Sequence, residues 1–380
     1  MKDNKNNDSL APYTLYKSDV SYFSGKIEAY LRYKNIPHNT VDMNINSMNE
    51  VVKNTGFKKV PAIKTANNTW LFDTTPMLQW FEERYPQNPI LPNDPALRFM
   101  ALLLEDYGDE WLWRPAMWWR WVPRASRWAL GYRIGAEFAP SLLARPIGWF
   151  FGRRQLKEWL WDDGVTLKNE ADVRDMLFRE FEFLEPLLQH QPYLLGSHPS
   201  AADFGYFASL FRHFGNDPES AEAVRRQAPN TYEWLARLWN AKPEKLPKAQ
   251  NWIWPEGKHW DGLLERIAKD YLPYLQQNAK AFSLNQKRFN HIGNTFVFNN
   301  TKTTHYRVYC REVLQQEFNK LCTIDQDRVN DLFAAHGSLA ALHDDAVIES
   351  GLAKKFVLPR TTQTKYKQTL RQFILGQPRN

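Results

Sequence analysis

Two cysteines in 380 residues, Cys310 and Cys322, are too few for a disulfide framework or a Cys-rich zinc site, and they suit a reducing interior. Both are expected to be packed thiols. No run of about 18 uncharged apolar residues occurs, so no membrane-spanning helix is expected. The polar opening MKDNKNNDSL has no apolar h-region, so a secretory leader is not expected and a cytoplasmic setting is. His190, His198 and His213 are scattered, and no clustered ligands predict a metal. The last stretch, 351–380, contains no acid but carries Lys354, Lys355, Arg360, Lys365, Lys367, Arg371 and Arg379, which accounts for the formal charge of +7. Such a tail reads as a solvated or partner-facing end; a nucleic-acid partner is not expected.

What the chain has in abundance is aromatic surface: 16 Trp, 16 Tyr and 23 Phe at a mean hydropathy of −0.59, which is that of a soluble protein. Its length allows two or three domains. Tyr13–Tyr16 is a β-prone run, and from Phe23 the apolar positions 23, 27, 30 and 31 have helical spacing. An extended segment with Thr40-Val41 follows, then a short helix with Met48, Val51 and Val52 closed by Gly56. Val60–Ile63, the turn Asn67-Asn68 and Thr69–Phe72 read as strand, hairpin and strand. Met77, Leu78, Phe81 and Tyr85 then line one face of a third helix. The order is βαβαββα.

Pro86, Pro89, Pro92 and Pro95 predict a stiff linker. Beyond it, Leu97, Met100, Leu103, Leu104 and Tyr107 form one helical stripe, and Val173, Met176, Leu177, Phe181, Leu184 and Leu188 another; shorter helices are expected near 201–214 and 230–240. In the last region Thr295–Phe298 and His305–Tyr309 suggest a hairpin turning at Asn299-Asn300, followed by a helix with Val313, Leu314, Phe318 and Leu321. The expected division is a disordered N-terminus (1–11), an α/β unit (12–92), an all-α domain (95–242), and a mixed α+β C-terminal extension with the basic tail (243–380).

Three features of the α/β unit carry chemistry together. Ser21 stands at the turn into the first helix, where its oxygen can cap the helix or its hydroxyl can donate to an anion at the positive helix end. A thiolate is such an anion: a free thiol has a pKa of about 8.5, and lowering it by one or two units ionises most of it at neutral pH. Val60-Pro61 opens a strand, where a proline belongs at an edge, and a cis bond would turn the main chain of Val60 outward to pair with a peptide. Asp73-Thr74 begins a helix; carboxylate plus hydroxyl can hold a ligand's amino and carboxylate ends, or simply cap. Taken singly, each has a purely structural reading that stays open.

In order and spacing these features resemble the glutathione transferase superfamily, with a thioredoxin-like N-terminal domain and a helical second domain, over about residues 12–242. Ser21-Tyr-Phe-Ser-Gly-Lys-Ile-Glu-Ala-Tyr-Leu is similar to the first-helix motif whose Ser or Cys activates the glutathione sulfur, with Ser21 at that position. Lys59-Val60-Pro61-Ala62-Ile63 resembles the cis-proline motif, in which Val60 would pair with the cysteinyl backbone. Asp73-Thr74 resembles the pair that holds the γ-glutamyl group, and Asn54 stands where an Asn is common. Gly196–Asp203 resembles the superfamily's buried capping box, with Ser200 and Asp203 in a folding role. The resemblance implies glutathione as co-substrate, no metal, a small, hydrophobic electrophile as second substrate, and a homodimer.

The departures also carry information. Val20, not Tyr, stands where a tyrosine-type enzyme needs its hydroxyl, and Ser21 in place of Cys leaves no sulfur for a mixed disulfide. The long extension has no counterpart in simple members, which keeps open a non-catalytic binding or assembly protein acting through it. Between residues 111 and 161, Trp111, Trp113, Trp118, Trp119, Trp121, Trp128, Trp149, Trp159 and Trp161 interleave with Arg114, Arg120, Arg124, Arg127 and Arg133. Packing against the extension is the preferred reading of this segment and a border of the electrophile cleft the second. A membrane-surface role comes third, because Arg133, Glu137 and Arg145 interrupt every apolar stretch.

Overall fold

The structure, a computed structural model, describes residues 9–343 and 346–360. Residues 1–8 of the expected N-terminal segment and 361–380 of the basic tail lie outside the described residues.

The α/β unit runs β1 (Tyr13–Lys17), α1 (Tyr22–Tyr33), β2 (His38–Asp42), α2 (Ile45–Thr55), β3 (Ala62–Lys64), β4 (Trp70–Phe72) and α3 (Thr74–Arg84). The sheet order is β2-β1-β3-β4, with β1 and β2 parallel and the other two pairings antiparallel. This is the thioredoxin-like order. Alternation along β1 sends Tyr13 toward α3, where its ring meets Phe81 edge-on, and sends Tyr16 to the opposite face against Trp70. Local chemistry fixes the helix ends. Asn44 and Ser47 form a reciprocal capping box on α2, and Gly56 ends it at φ +77°, a left-handed conformation that glycine adopts without penalty.

The helical domain follows. Pro95 is not the end of a linker: Asp94 caps α4 (Pro95–Asp106) by accepting the Leu97 amide at 2.8 Å, and Pro95 fills the first helical position, where no N–H is needed. The helix continues through a π turn, Tyr107–Trp111, into α5 (Trp113–Trp121). A hairpin of α6 (Arg124–Phe138) and α7 (Ser141–Gln155) comes next; the stripe pattern had not indicated it. A second π turn, Leu156–Trp161, leads toward α8 (Glu170–His190), followed by α9 (Ala201–Ser209), α10 (Pro218–Gln227) and α11 (Pro229–Trp239). The box at Ser200–Asp203 is present and buried. Asp203 accepts from the Ser200 amide, the Leu194 amide and Trp234 Nε1, tying three segments together. Burial raises its pKa to about 6 even so.

The extension comprises α12 (Lys258–Arg266), α13 (Leu272–Ser283), the hairpin β5 (Arg288–Ile292) and β6 (Val297–Lys302), and helices α14 (His305–Asn319), α15 (Thr323–Ala334) and α16 (Ala340–His343). The expected hairpin is therefore shifted. Its turn lies at Gly293–Phe296, where the Gly293 amide donates to the Phe296 carbonyl, and Asn299-Asn300 lie within β6. His305–Tyr309, read as a strand from its alternation, opens α14; buried positions 307, 308, 311, 314, 315 and 318 follow the helical period, and Cys310 and Glu312 are buried beside them. Cys310 is buried, but Cys322 is exposed, against the expectation of two packed thiols.

Buried charge joins the three regions. Lys26 on α1 is fully buried and forms ion pairs with Glu105 and Asp109. Arg307 of the extension grips Asp163 at 2.6 Å and Glu110 at 3.1 Å. No helix among the described residues is long and apolar enough to cross a membrane.

Candidate functional site

The sheet register decides which residues meet. Tyr16 near the end of β1 pairs with Ala62 at the start of β3, and Ala62 pairs with Phe72 at the end of β4. The turn carrying Ser21, the Val60-Pro61 step and Asp73-Thr74 therefore converge on one end of the sheet. Two helix N-termini, those of α1 and α3, open there as well, and their positive ends suit an anionic ligand.

Ser21 caps α1 with extended backbone, and its Oγ accepts the Ser24 amide at a long 3.4 Å. Accepting that bond leaves the hydroxyl's own proton available to donate. Two nearby hydroxyls are less accessible. Tyr22 is buried and donates to the Gly108 carbonyl at 2.6 Å, while Ser24, which also accepts an amide, that of Ser18, is fully buried. Tyr16 lies on the α2 face, where burial and Glu50 hold its phenol far above the usual range.

The Val60–Pro61 bond is cis. The strand it opens is internal to the sheet, so Pro61 is tolerated because it precedes the first paired residue, Ala62, and not because β3 is an edge. Pro61 is buried and Val60 partly exposed. Asn54 turns its amide onto the Glu50 carbonyl within α2.

Asp73 sits at φ +67° and forms no cap to its own helix. Its Oδ1 instead accepts the hydroxyl of Tyr306, from α14 of the extension, at 2.9 Å. Burial pushes the carboxyl up to about 6; the Tyr306 bond, Lys59 and Lys26 pull the other way. Lys59 lies 5.8 Å from the Tyr306 ring centre. Thr74 is buried beside Asp73, and Thr75 donates to Glu105 at 2.6 Å.

Sequence reasoning missed how far the extension reaches into this site. Phe356 packs on Phe57, Phe72, Tyr306 and Tyr309. Arg360 pairs its backbone with Trp70 on the free edge of β4 in both directions, at 2.7 and 2.8 Å. Within the described part of the basic tail Lys354 and Lys355 are exposed, while Phe356 and the backbone of Arg360 are docked on the α/β unit. The aromatic YRVY pattern of residues 306–309 was the available signal, read as a strand.

The Trp-rich segment divides by position. Trp111 packs against Tyr271, Tyr274, Phe296 and Phe298 of the extension. Trp113 stacks on Phe23 in the first turn of α1 and meets Trp159, so these three rings form a cluster at the start of α1. Lys58, held down to about 8 by burial and by Arg154, faces the end of α7. Among the described residues no group of three or more His, Cys, Asp or Glu is placed to hold a metal ion.

The fold joins a thioredoxin-like sheet unit to a helical domain, with a helix-capping Ser, a cis-Pro and an acid–hydroxyl pair at one sheet end. Residues 15–89 match the family described as "Glutathione S-transferase, N-terminal domain", and residues 167–253 match "Glutathione S-transferase, C-terminal domain". The two matched stretches belong to the glutathione transferase superfamily. Among solved structures it is similar to a glutathione S-transferase from Rhodospirillum rubrum F11 (16% identity, 66% of this chain and 99% of that one, TM-score 0.42). It is also similar to one from Methylobacterium radiotolerans, in complex with glutathione sulfonate (19% identity, 65% and 99%, TM-score 0.41), and to FzlA from C. crescentus (20%, 60% and 90%, 0.42). No match was found among curated proteins.

Proposed function

We propose that the chain is a serine-type glutathione transferase that activates the glutathione thiolate for attack on a small hydrophobic electrophile. The observation that carries this reading is the convergence of Ser21, Val60-Pro61 and Asp73-Thr74 on one sheet end with two helix N-termini. In this reading Ser21 donates its hydroxyl to the sulfur while the α1 dipole adds to the stabilisation. Val60 pairs with the cysteinyl backbone. Asp73 and Thr74 hold the γ-glutamyl ammonium and carboxylate, and Lys58 and Lys59 offset the peptide's negative charge. The thiol proton leaves to solvent. The sulfur lone pair then forms the carbon–sulfur bond, and the displaced group departs with its electron pair. Phe23, Trp113 and Trp159 form the apolar wall for the electrophile.

The proposal includes a cytoplasmic setting, a homodimer, and division into units at 12–92, 95–242 and 243–380. Conjugation of glutathione to an activated aryl halide tests the activity, and light scattering tests the dimer.

One observation favours a second reading: the extension already occupies Asp73 through Tyr306 and packs Phe356 beside it. A non-catalytic binding or assembly protein would have this arrangement. Thermal shift separates the two, since a ligand at 100 times its dissociation constant adds about 2.7 kcal/mol to stability. No shift at millimolar glutathione favours the second reading.

A further inference from the structure

The α6–α7 hairpin, residues 124–155, lies between the two stretches matched by the family. Its two helices close on small residues: a Cβ on Gly135 would run into the Ala144 carbonyl, and one on Gly148 into the Gly131 carbonyl. Around these glycines Leu130, Ile134, Phe138, Ile147 and Phe151 are buried, while a second set of large side chains faces outward. Leu142 is 92% exposed, and Trp128, Tyr132, Leu143, Trp149 and Phe150 are exposed as well. On α7 the helical period places Leu142, Arg145, Trp149 and Arg153 on one line, with Leu143 and Phe150 on the next. The charges that interrupt the apolar runs in sequence thus border apolar surface in space, which lifts the objection to a surface-binding role.

The exposed charge of the hairpin is nearly all positive. Arg154 is turned in beside Glu158, and Glu219 of α10 accepts the Ala125 and Ser126 amides at the start of α6. The exposed Arg124, Arg127, Arg133, Arg145 and Arg153 stand against a single acid of the hairpin, Glu137. That carboxylate is turned inward and accepts the Ser18 hydroxyl at 2.7 Å. Exposed Trp, Tyr and Phe bordered by arginine, with two leucines just beyond the Ala139-Pro140 turn, match the requirements of a bilayer interface, where aromatic rings sit at headgroup depth and basic residues meet lipid phosphates. A second copy of the chain fits poorly, because a two-fold contact would set this arginine-rich surface against itself.

We propose that the α6–α7 hairpin docks the protein on an anionic membrane surface, with Leu142, Leu143, Trp149 and Phe150 entering the interface and the flanking arginines contacting phosphate. This docking is independent of any chemistry at Ser21.

Flotation of the full chain with vesicles of phosphatidylcholine alone, or doped with phosphatidylglycerol, tests it. The protein floats with the doped vesicles only, and less so as salt rises. Leu142→Ser combined with Trp149→Ser lowers partitioning at least about tenfold, and each of Arg145→Gln and Arg153→Gln lowers it about fivefold. Leu142→Ser alone, at a site almost fully exposed, leaves the melting temperature unchanged and still weakens flotation. Three outcomes overturn the proposal: no flotation with doped vesicles at low salt, flotation indifferent to all four substitutions, or conversion of a dimer to a monomer by the leucine and tryptophan variants.

Discussion

The Tyr306 hydroxyl donates to Asp73 Oδ1 at 2.9 Å, across 233 residues of chain, and so ties the C-terminal extension to the candidate-site end of the thioredoxin-like sheet. Asp73 begins α3 at a positive φ without capping it, so its carboxylate is held by the extension and not by its own helix.

That bond gives the site a pH dependence. Burial raises Asp73 to about 6, and the Tyr306 bond opposes the rise. If the carboxylate form receives the glutathione ammonium, affinity strengthens as pH rises through about 6. Tyr306→Phe removes the opposing bond, moves the midpoint upward, and weakens binding most near pH 6 to 7. Calorimetric titration of wild type and variant from pH 5 to 8 measures both midpoints; coincident curves would remove Asp73 from the binding site.

Ser21 caps α1 and is also the proposed donor to sulfur, and one pair of substitutions separates the roles. Ser21→Ala loses the cap, about 1 kcal/mol, and slows conjugation about 10²-fold. Ser21→Asp keeps a good cap but places a carboxylate against the thiolate. Stability should return while turnover stays low. Recovery of activity in Ser21→Asp would leave Ser21 a cap and nothing more.

Lys26 is buried between Glu105 and Asp109, so Lys26→Met strands two carboxylates. Breaking a buried ion pair from one side costs about 3–5 kcal/mol. A lowered urea midpoint is expected, with loss of contact between α1 and the π turn at Tyr107–Trp111. A midpoint within experimental error of wild type would show that the cluster is not structural.

Asp106 is raised to about 7 by burial, with Glu110 and Glu105 adding to the rise and the Tyr271 hydroxyl opposing it. Because its folded pKa lies above the unfolded value near 3.9, the folded state holds the proton more tightly. Its contribution to stability is therefore full below about pH 4 and is lost as pH rises toward 7. Asp106→Asn, a neutral mimic of the protonated acid, should flatten the decline in urea midpoint between pH 5 and 8. An unchanged slope would place the titration elsewhere.

Much of this architecture was legible because it is written locally. The βαβαββα order follows from spacing at Phe23, Ile27 and Tyr30 and from the stop at Gly56, and the Ser200–Asp203 box reads directly as a helix start. The candidate site was legible as three motifs, and only the strand register showed that they meet. What escaped depends on distant partners. His305–Tyr309 alternates like a strand, yet its burial against the rest of the chain is helical. Exposed Trp and Arg mask the period of α6 and α7, whose buried sides combine glycines with a short apolar stripe of Leu130, Ile134 and Phe138 on α6 and of Ile147 and Phe151 on α7. The docking of Arg360 on Trp70 had no local signal at all.

The central claim is that Ser21 and the α1 terminus stabilise a bound thiolate, and the pKa of glutathione's thiol in the complex tests it most directly. Thiolate absorbance titrated at saturating protein should give a value one to two units below the free thiol's, about 8.5, in wild type and a value close to the free one in Ser21→Ala. A bound thiol that titrates at the free value in the wild-type protein, or glutathione that does not bind at millimolar concentration, would contradict the account.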